Sequence, residues 1–207
     1  MGVELRSWVA KWSRDQTSYI RSVLDSVPGP IVLVGHSYGG AVISVAAADA
    51  PRVQALVYIA AFVPDVGESA LELTDKYPGS TLAQATSPQY YPLPGGGEGE
   101  ELVIKQELFR EQFAAGVPAT TAQAMAVGQR PIALAALQEK ATAAAWKRLP
   151  SWCLVATEDR NIPPAAEQWM AERAHAHTVR VRAPHAVAVS DPAPVTQLIL
   201  RAAHSAC

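Results

Sequence analysis

The chain has 207 residues, of which 49% are apolar and 17% charged, and a formal net charge of −2. That is enough chain for one domain with a sizeable core. The composition excludes a disordered segment, and the charge leaves no basic footprint for nucleic acid or an anionic membrane. The apolar runs are too short and interrupted to span a bilayer, and no signal-peptide apolar region is visible, so a cytoplasmic protein is expected. Cys153 reads as apolar filler in a strand and Cys207 as part of the tail, with no disulfide between them.

Ser7–Val27 repeats apolar residues at three- and four-residue spacing (Trp8, Trp12, Tyr19, Ile20, Val23, Leu24, Val27), which predicts an amphipathic helix. Pro28-Gly29-Pro30 ends it. Ile31–Val34 follows as an aliphatic strand, then a small-residue helix to about Ala50, stopped by Pro51. Val53–Ala61 is a continuous apolar run, as expected of a parallel strand covered on both faces. Trp152–Ala156 and Thr178–Val181 supply a third and a fourth strand. Helices are predicted at Pro163–Ala174 and at Pro192–Ala203, the latter with Asp191 as N-cap. This alternation predicts an α/β fold with a doubly wound, mostly parallel sheet.

Between the second and third strands the pattern breaks. Helical pieces are predicted near Glu68–Asp75, Glu100–Ala115, Pro118–Gln129 and Ile132–Lys140, interrupted by a Pro/Gly-rich loop at Ser87–Gly99. So long an insertion reads as a helical lid, about residues 64–147, on a single domain whose core is 1–63 and 148–207. Its apolar residues (Leu102, Ile104, Leu108, Phe109, Phe113, Met125) either line a pocket or pack the lid against itself, and Tyr90 and Trp146 are further pocket candidates.

Between the first strand and its helix stands Gly35-His36-Ser37-Tyr38-Gly39, the pattern of a nucleophile elbow. A serine on so sharp a turn has a strained backbone and an exposed Oγ. Gly35 and Gly39, two residues to either side, are expected to be bare because strand and helix backbones approach there. The helix N-terminus offers the Tyr38 N–H to a developing oxyanion. A phosphate-cradling turn would want Lys followed by Ser or Thr after the glycines, and neither is present.

A nucleophilic serine needs a base, and the base an orienting acid. His185 follows the last strand in a loop, where an open α/β sheet keeps its site. His36 reads as a structural or supporting residue of the turn, and His175, His177 and His204 as solvated. The acid is sought after the third strand, where Asp159 is preferred to Glu158, with Asp65 the outside option. Ser37, Asp159 and His185 then follow the nucleophile–acid–histidine order of an α/β-hydrolase.

With these residues in place the chain resembles the small bacterial α/β-hydrolases related to the plant methylesterase and hydroxynitrile lyase branch. The resemblance covers nearly the whole chain. It rests on Val34-Gly35-His36-Ser37-Tyr38-Gly39-Gly40-Ala41, on Val57–Pro64, on Thr157-Glu158-Asp159-Arg160-Asn161-Ile162-Pro163-Pro164 and on His185–Pro192. It implies an α/β-hydrolase fold, the aspartate four residues before the strand-end proline (Asp159) as triad acid, and hydrolysis of small carboxylic esters with neither cofactor nor metal. Lyases of that branch carry a lysine after the histidine, where this chain has Ala186. Cofactor-free perhydrolysis of the haloperoxidase kind is the alternative chemistry.

Family members also carry strands ahead of the first helix seen here, one ending in a His-Gly loop that donates a second oxyanion N–H. The expectation is therefore an N-terminally shortened hydrolase with no second donor named by the sequence. Ile31–Val34 would then form an open sheet edge, to be covered by a homodimer partner, a rearranged lid segment or a lost N-terminal piece, or the chain would be a non-catalytic scaffold.

Overall fold

The computed structural model describes residues 14–205, and side chains from Thr17 onward. Trp8, Trp12 and Cys207 lie outside the described residues. Helix α1 (Arg14–Ser26) leads into strand β1 (Ile31–Ser37), helix α2 (Gly39–Ala46) and strand β2 (Val53–Ala61). Strand β2 is covered on both faces, as its unbroken apolar run demands: Ala55, Leu56, Val57, Tyr58, Ile59 and Ala60 are all buried. Each large side chain so buried contributes about 1.5–3 kcal/mol.

The insertion follows. It holds α3 (Ala70–Asp75), α4 (Leu82–Ala85), β3 (Thr86–Pro92), β4 (Glu98–Ile104), α5 (Gln106–Phe113), α6 (Ala119–Gly128), β5 (Ile132–Ala133) and α7 (Leu134–Gln138). The chain then returns to the core with β6 (Ser151–Ala156), α8 (Pro164–Arg173), β7 (His177–Val181), α9 (Val187–Ser190) and α10 (Pro192–Ser205). The main sheet runs β1-β2-β6-β7, every pair parallel. One face packs on Ile43 of α2, Met170 of α8 and Leu24 of α1. The other packs on Val195, Leu198 and Ala202 of α10. Helices on both faces make it doubly wound.

Three expectations are corrected. Ser87–Gly99 is not a loop, nor is Glu100–Ile104 helical: together they form the antiparallel hairpin β3–β4, which β5 extends to three strands. The Pro/Gly run is its turn, where Gly95, Gly96 and Gly97 all take positive φ. In α1, Leu24 is buried and Ile20 packs on the core, but Tyr19 and Val23 of the expected apolar face, and Val27 just past the helix, are exposed. The pocket candidates also fall away. Tyr90 is exposed on the hairpin, and Trp146 is buried in the main core, donating from Nε1 to the Pro64 carbonyl at 2.8 Å. Phe109, Ile104 and Met125 pack the insertion against itself, around Val117 and Ala122. No helix among the described residues is long and apolar enough to cross a membrane.

Candidate active site

Ser37 ends β1 with φ at +55°, the left-handed region that costs a residue with a Cβ about 1–2 kcal/mol. Surrounding contacts hold it there. A Cβ on Gly35 would come within 2.6 Å of the Gly39 carbonyl oxygen, and one on Gly40 within 2.2 Å of the Phe62 oxygen. A Cβ on Gly39 would meet nothing within 4 Å. The bare position after the serine is thus Gly40, not the Gly39 expected from the motif. The neighbouring strand yields as well. Its pairing with β1 passes from His36–Ile59 to Ser37–Ala61, skipping Ala60, which takes φ +43°. The Phe62 N–H then donates to the Ser37 carbonyl at 3.2 Å.

The loop after β6 carries Asp159. Asp159 is 4% exposed, and its Oδ1 accepts N–H bonds from Asn161 (2.6 Å) and Ile162 (3.1 Å). Its Oδ2 stands 2.5 Å from His185 Nδ1. Glu158 points away into an exposed ion pair with Arg182, and Asp65 pairs with Lys147. The loops after β6 and β7 are tied together, since the Thr157 and Glu158 N–H groups donate to the carbonyls of Val181 and Ala183.

His185 is completely buried. Its carbonyl accepts from His36 Nε2 at 2.9 Å, and the next amide, Ala186 N–H, donates to the Phe113 carbonyl at 2.9 Å. The rings of Phe113 and His36 stand against the imidazole, at centroid distances of 4.8 and 4.6 Å. Its Nε2, the atom a base would use, is buried with no hydrogen-bond partner among the described residues. A catalytic hydrogen bond of this kind commonly tightens only once substrate is bound. The His36 residue keeps an exposed edge, yet its pKa is lowered to about 4, by desolvation first and repulsion from His185 second. Neutral His36 can therefore donate from Nε2 through the physiological range.

Two polar residues that sequence reasoning missed support the acid loop. Gln112, buried on α5, donates from Nε2 to the Arg160 carbonyl and to Asn161 Oδ1, both at 2.8 Å, and accepts from Thr81 Oγ1 at 2.7 Å. Glu167, buried on α8, accepts the Ala156 N–H on Oε2 at 3.0 Å. A signal for Glu167 was present: a lone carboxyl among the residues α8 turns inward, Ala166, Met170 and Ala171. Tyr38 directs its phenol to another place, a cavity of about 360 Å³ between α1, α2 and residues 139–143, whose walls include none of Ser37, Asp159 and His185. Desolvation and then Glu139 raise its pKa to about 12. No group of three His, Cys, Asp or Glu among the described residues is placed to hold a metal ion.

A parallel sheet with a strained serine turn at the end of β1, and an Asp–His pair in the loops after β6 and β7, defines the α/β-hydrolase class. A model of the alpha/beta hydrolase family matches residues 5–198, and the chain belongs to that family. It is 40% identical over 80 residues to a carbendazim hydrolyzing esterase of Nocardioides sp. (strain SG-4G), across 36% of this chain and 33% of that protein. It is 29% identical over 188 residues to alpha/beta hydrolase nvfD of Aspergillus novofumigatus (strain IBT 16806), across 85% of this chain and 71% of that protein. Polyneuridine aldehyde esterase superposes with a TM-score of 0.78 at 20% identity, over 91% of this chain and 78% of that one. A pyrethroid hydrolase from Sphingobium faniae JZ-2 gives 0.67 at 21%, over 89% and 75%. These structural likenesses show the fold.

Proposed function

We propose that the protein is a serine hydrolase of small carboxylic esters, with Ser37 as nucleophile, His185 as base and Asp159 as the acid that orients it. The observation that carries this reading is the 2.5 Å approach of Asp159 Oδ2 to His185 Nδ1, in a sheet whose first strand ends on a serine held at φ +55°. Ester hydrolysis as the reaction is supported by the relatives, which include an esterase of 40% local identity.

Ser37 Oγ attacks the ester carbonyl while its proton passes to His185 Nε2. Asp159 holds Nδ1–H and stabilises the imidazolium that forms. The tetrahedral oxyanion takes the Tyr38 N–H at the start of α2, where the helix dipole favours negative charge. Nε2 returns its proton to the departing alcohol, leaving the acyl group on Oγ. Water, deprotonated by the same nitrogen, then releases the acid and restores the serine. Helix α5 acts as the lid, its Phe113 ring keeping bulk water from the imidazole.

The test is initial-rate hydrolysis of p-nitrophenyl butyrate by the wild type and by Ser37→Ala. A loss on the order of 10³-fold or more in kcat is expected. A folded Ser37→Ala protein that hydrolyses at the wild-type rate overturns the proposal.

A further inference from the structure

Behind the Asp159–His185 pair lies a second carboxyl. Glu167 is 3% exposed and uses Oε2 for the Ala156 N–H. Its Oε1 is equally buried and meets no N–H or O–H donor and no cation among the described residues. The neighbour within hydrogen-bonding reach is the Asp159 carboxyl. Two acceptor-only groups cannot bond each other, and two unpaired negative charges do not share a dry site. One proton must lie between them.

Asp159 is the member committed as the anion. Its Oδ1 takes two backbone N–H bonds and its Oδ2 faces His185 Nδ1. Glu167 makes a single backbone bond, too little to hold a buried charge. Burial first, and the Asp159 charge second, push its pKa well above the usual carboxyl range. The other titratable groups around it are Cys153 on β6 and, beyond Asp159, His185 and His36.

We infer that Glu167 is a protonated positioning residue whose carboxylic O–H donates to Asp159, fixing that carboxylate against His185 Nδ1 and drawing off part of its charge. The inference rests on the Ser37–His185–Asp159 reading for its catalytic meaning. The proton itself follows from the burial and partners of Glu167 alone. Glutamine is the informative replacement, because its amide oxygen can take the Ala156 N–H while its N–H₂ donates to Asp159. Leucine fills similar space and donates nothing.

Infrared difference spectra of wild type against Glu167→Gln, in H₂O and D₂O, read the proton directly. A protonated-carboxyl C=O stretch that shifts in D₂O and is missing from Glu167→Gln is expected. With p-nitrophenyl butyrate, Glu167→Leu should lose about tenfold or more in kcat, the scale of one lost hydrogen bond to a charged group. Its acidic limb should move to higher pH, since an Asp159 that keeps its full charge holds an imidazolium longer. Glu167→Gln should restore both kcat and limb. Absence of the carboxylic-acid band, or a folded Glu167→Gln protein as impaired as Glu167→Leu, overturns the inference. If Glu167→Leu does not fold, the band and the Glu167→Gln rate still decide. Retained hydrolysis in Ser37→Ala would sink the triad reading and leave the infrared result standing.

Discussion

His36 Nε2–H donates to the backbone carbonyl of His185 at 2.9 Å, so the residue beside Ser37 holds the loop that carries His185. Its pKa of about 4 lies below the ordinary 6.5, so between those values the unfolded chain binds the proton that the folded protein refuses. The stability that neutral His36 provides is complete above pH 6.5 and drains away as pH falls towards about 4. His36→Gln keeps an N–H donor but does not titrate. Its urea midpoint should fall less than that of the wild type across that window, the acid titrations common to both cancelling in the difference.

The two glycines after the serine should respond oppositely to alanine. At Gly40 the new Cβ would have to push the Phe62 carbonyl from 2.2 Å, and the backbone of β2 cannot retreat without breaking its pairing. Denaturant unfolding of Gly40→Ala should show a loss of about 3 kcal/mol, the upper range for overpacking. Gly39→Ala, with open space around the Cβ and a helical position, should be neutral or gain up to about 1 kcal/mol. Equal losses at both sites would contradict this geometry.

Gln112 joins the insertion to the Asp159 loop through two hydrogen bonds, and Thr81 of the insertion holds its amide oxygen through a third. Gln112→Ala strands Asn161 Oδ1 and the Thr81 hydroxyl, while the Arg160 carbonyl keeps the Thr81 N–H, at a cost of about 2 kcal/mol in unfolding free energy. Asn161 also supplies an N–H to Asp159, so the acid loses its fixed loop. A fall in kcat with little change in KM is expected, measured at a temperature where the variant is folded.

How far the sequence carried depends on whether the signal was local. Val53–Ala61 was read with the bounds observed, because a strand buried on both faces must be apolar throughout. The elbow was legible because one turn imposes its residues within a few positions. Even so, the motif pointed to Gly39, and the close approach to β2 falls on Gly40, a fact that resides in the packing. Glu100–Ile104 carries good helix formers and reads as helix. It is a strand because β3 and β5 pair with it from either side, partners no local window contains. Asp159 was preferred to the adjacent Glu158 from the sequence, and the structure draws Glu158 outward to Arg182 while two backbone amides fix Asp159.

Strands β2 and β6 lie side by side in the sheet while residues 62–150 separate them along the chain. The β1–α2–β2 crossover closes over a short span, but β6 joins it only after that long loop has been closed, the slower kind of event. The turn holding Ser37 can thus be assembled while the polypeptide still lacks the groups that would deprotonate its alcohol. On the proposed mechanism, a chain emerging from the ribosome would carry an inert hydroxyl up to that point, and reactivity would arrive with the last strands to dock.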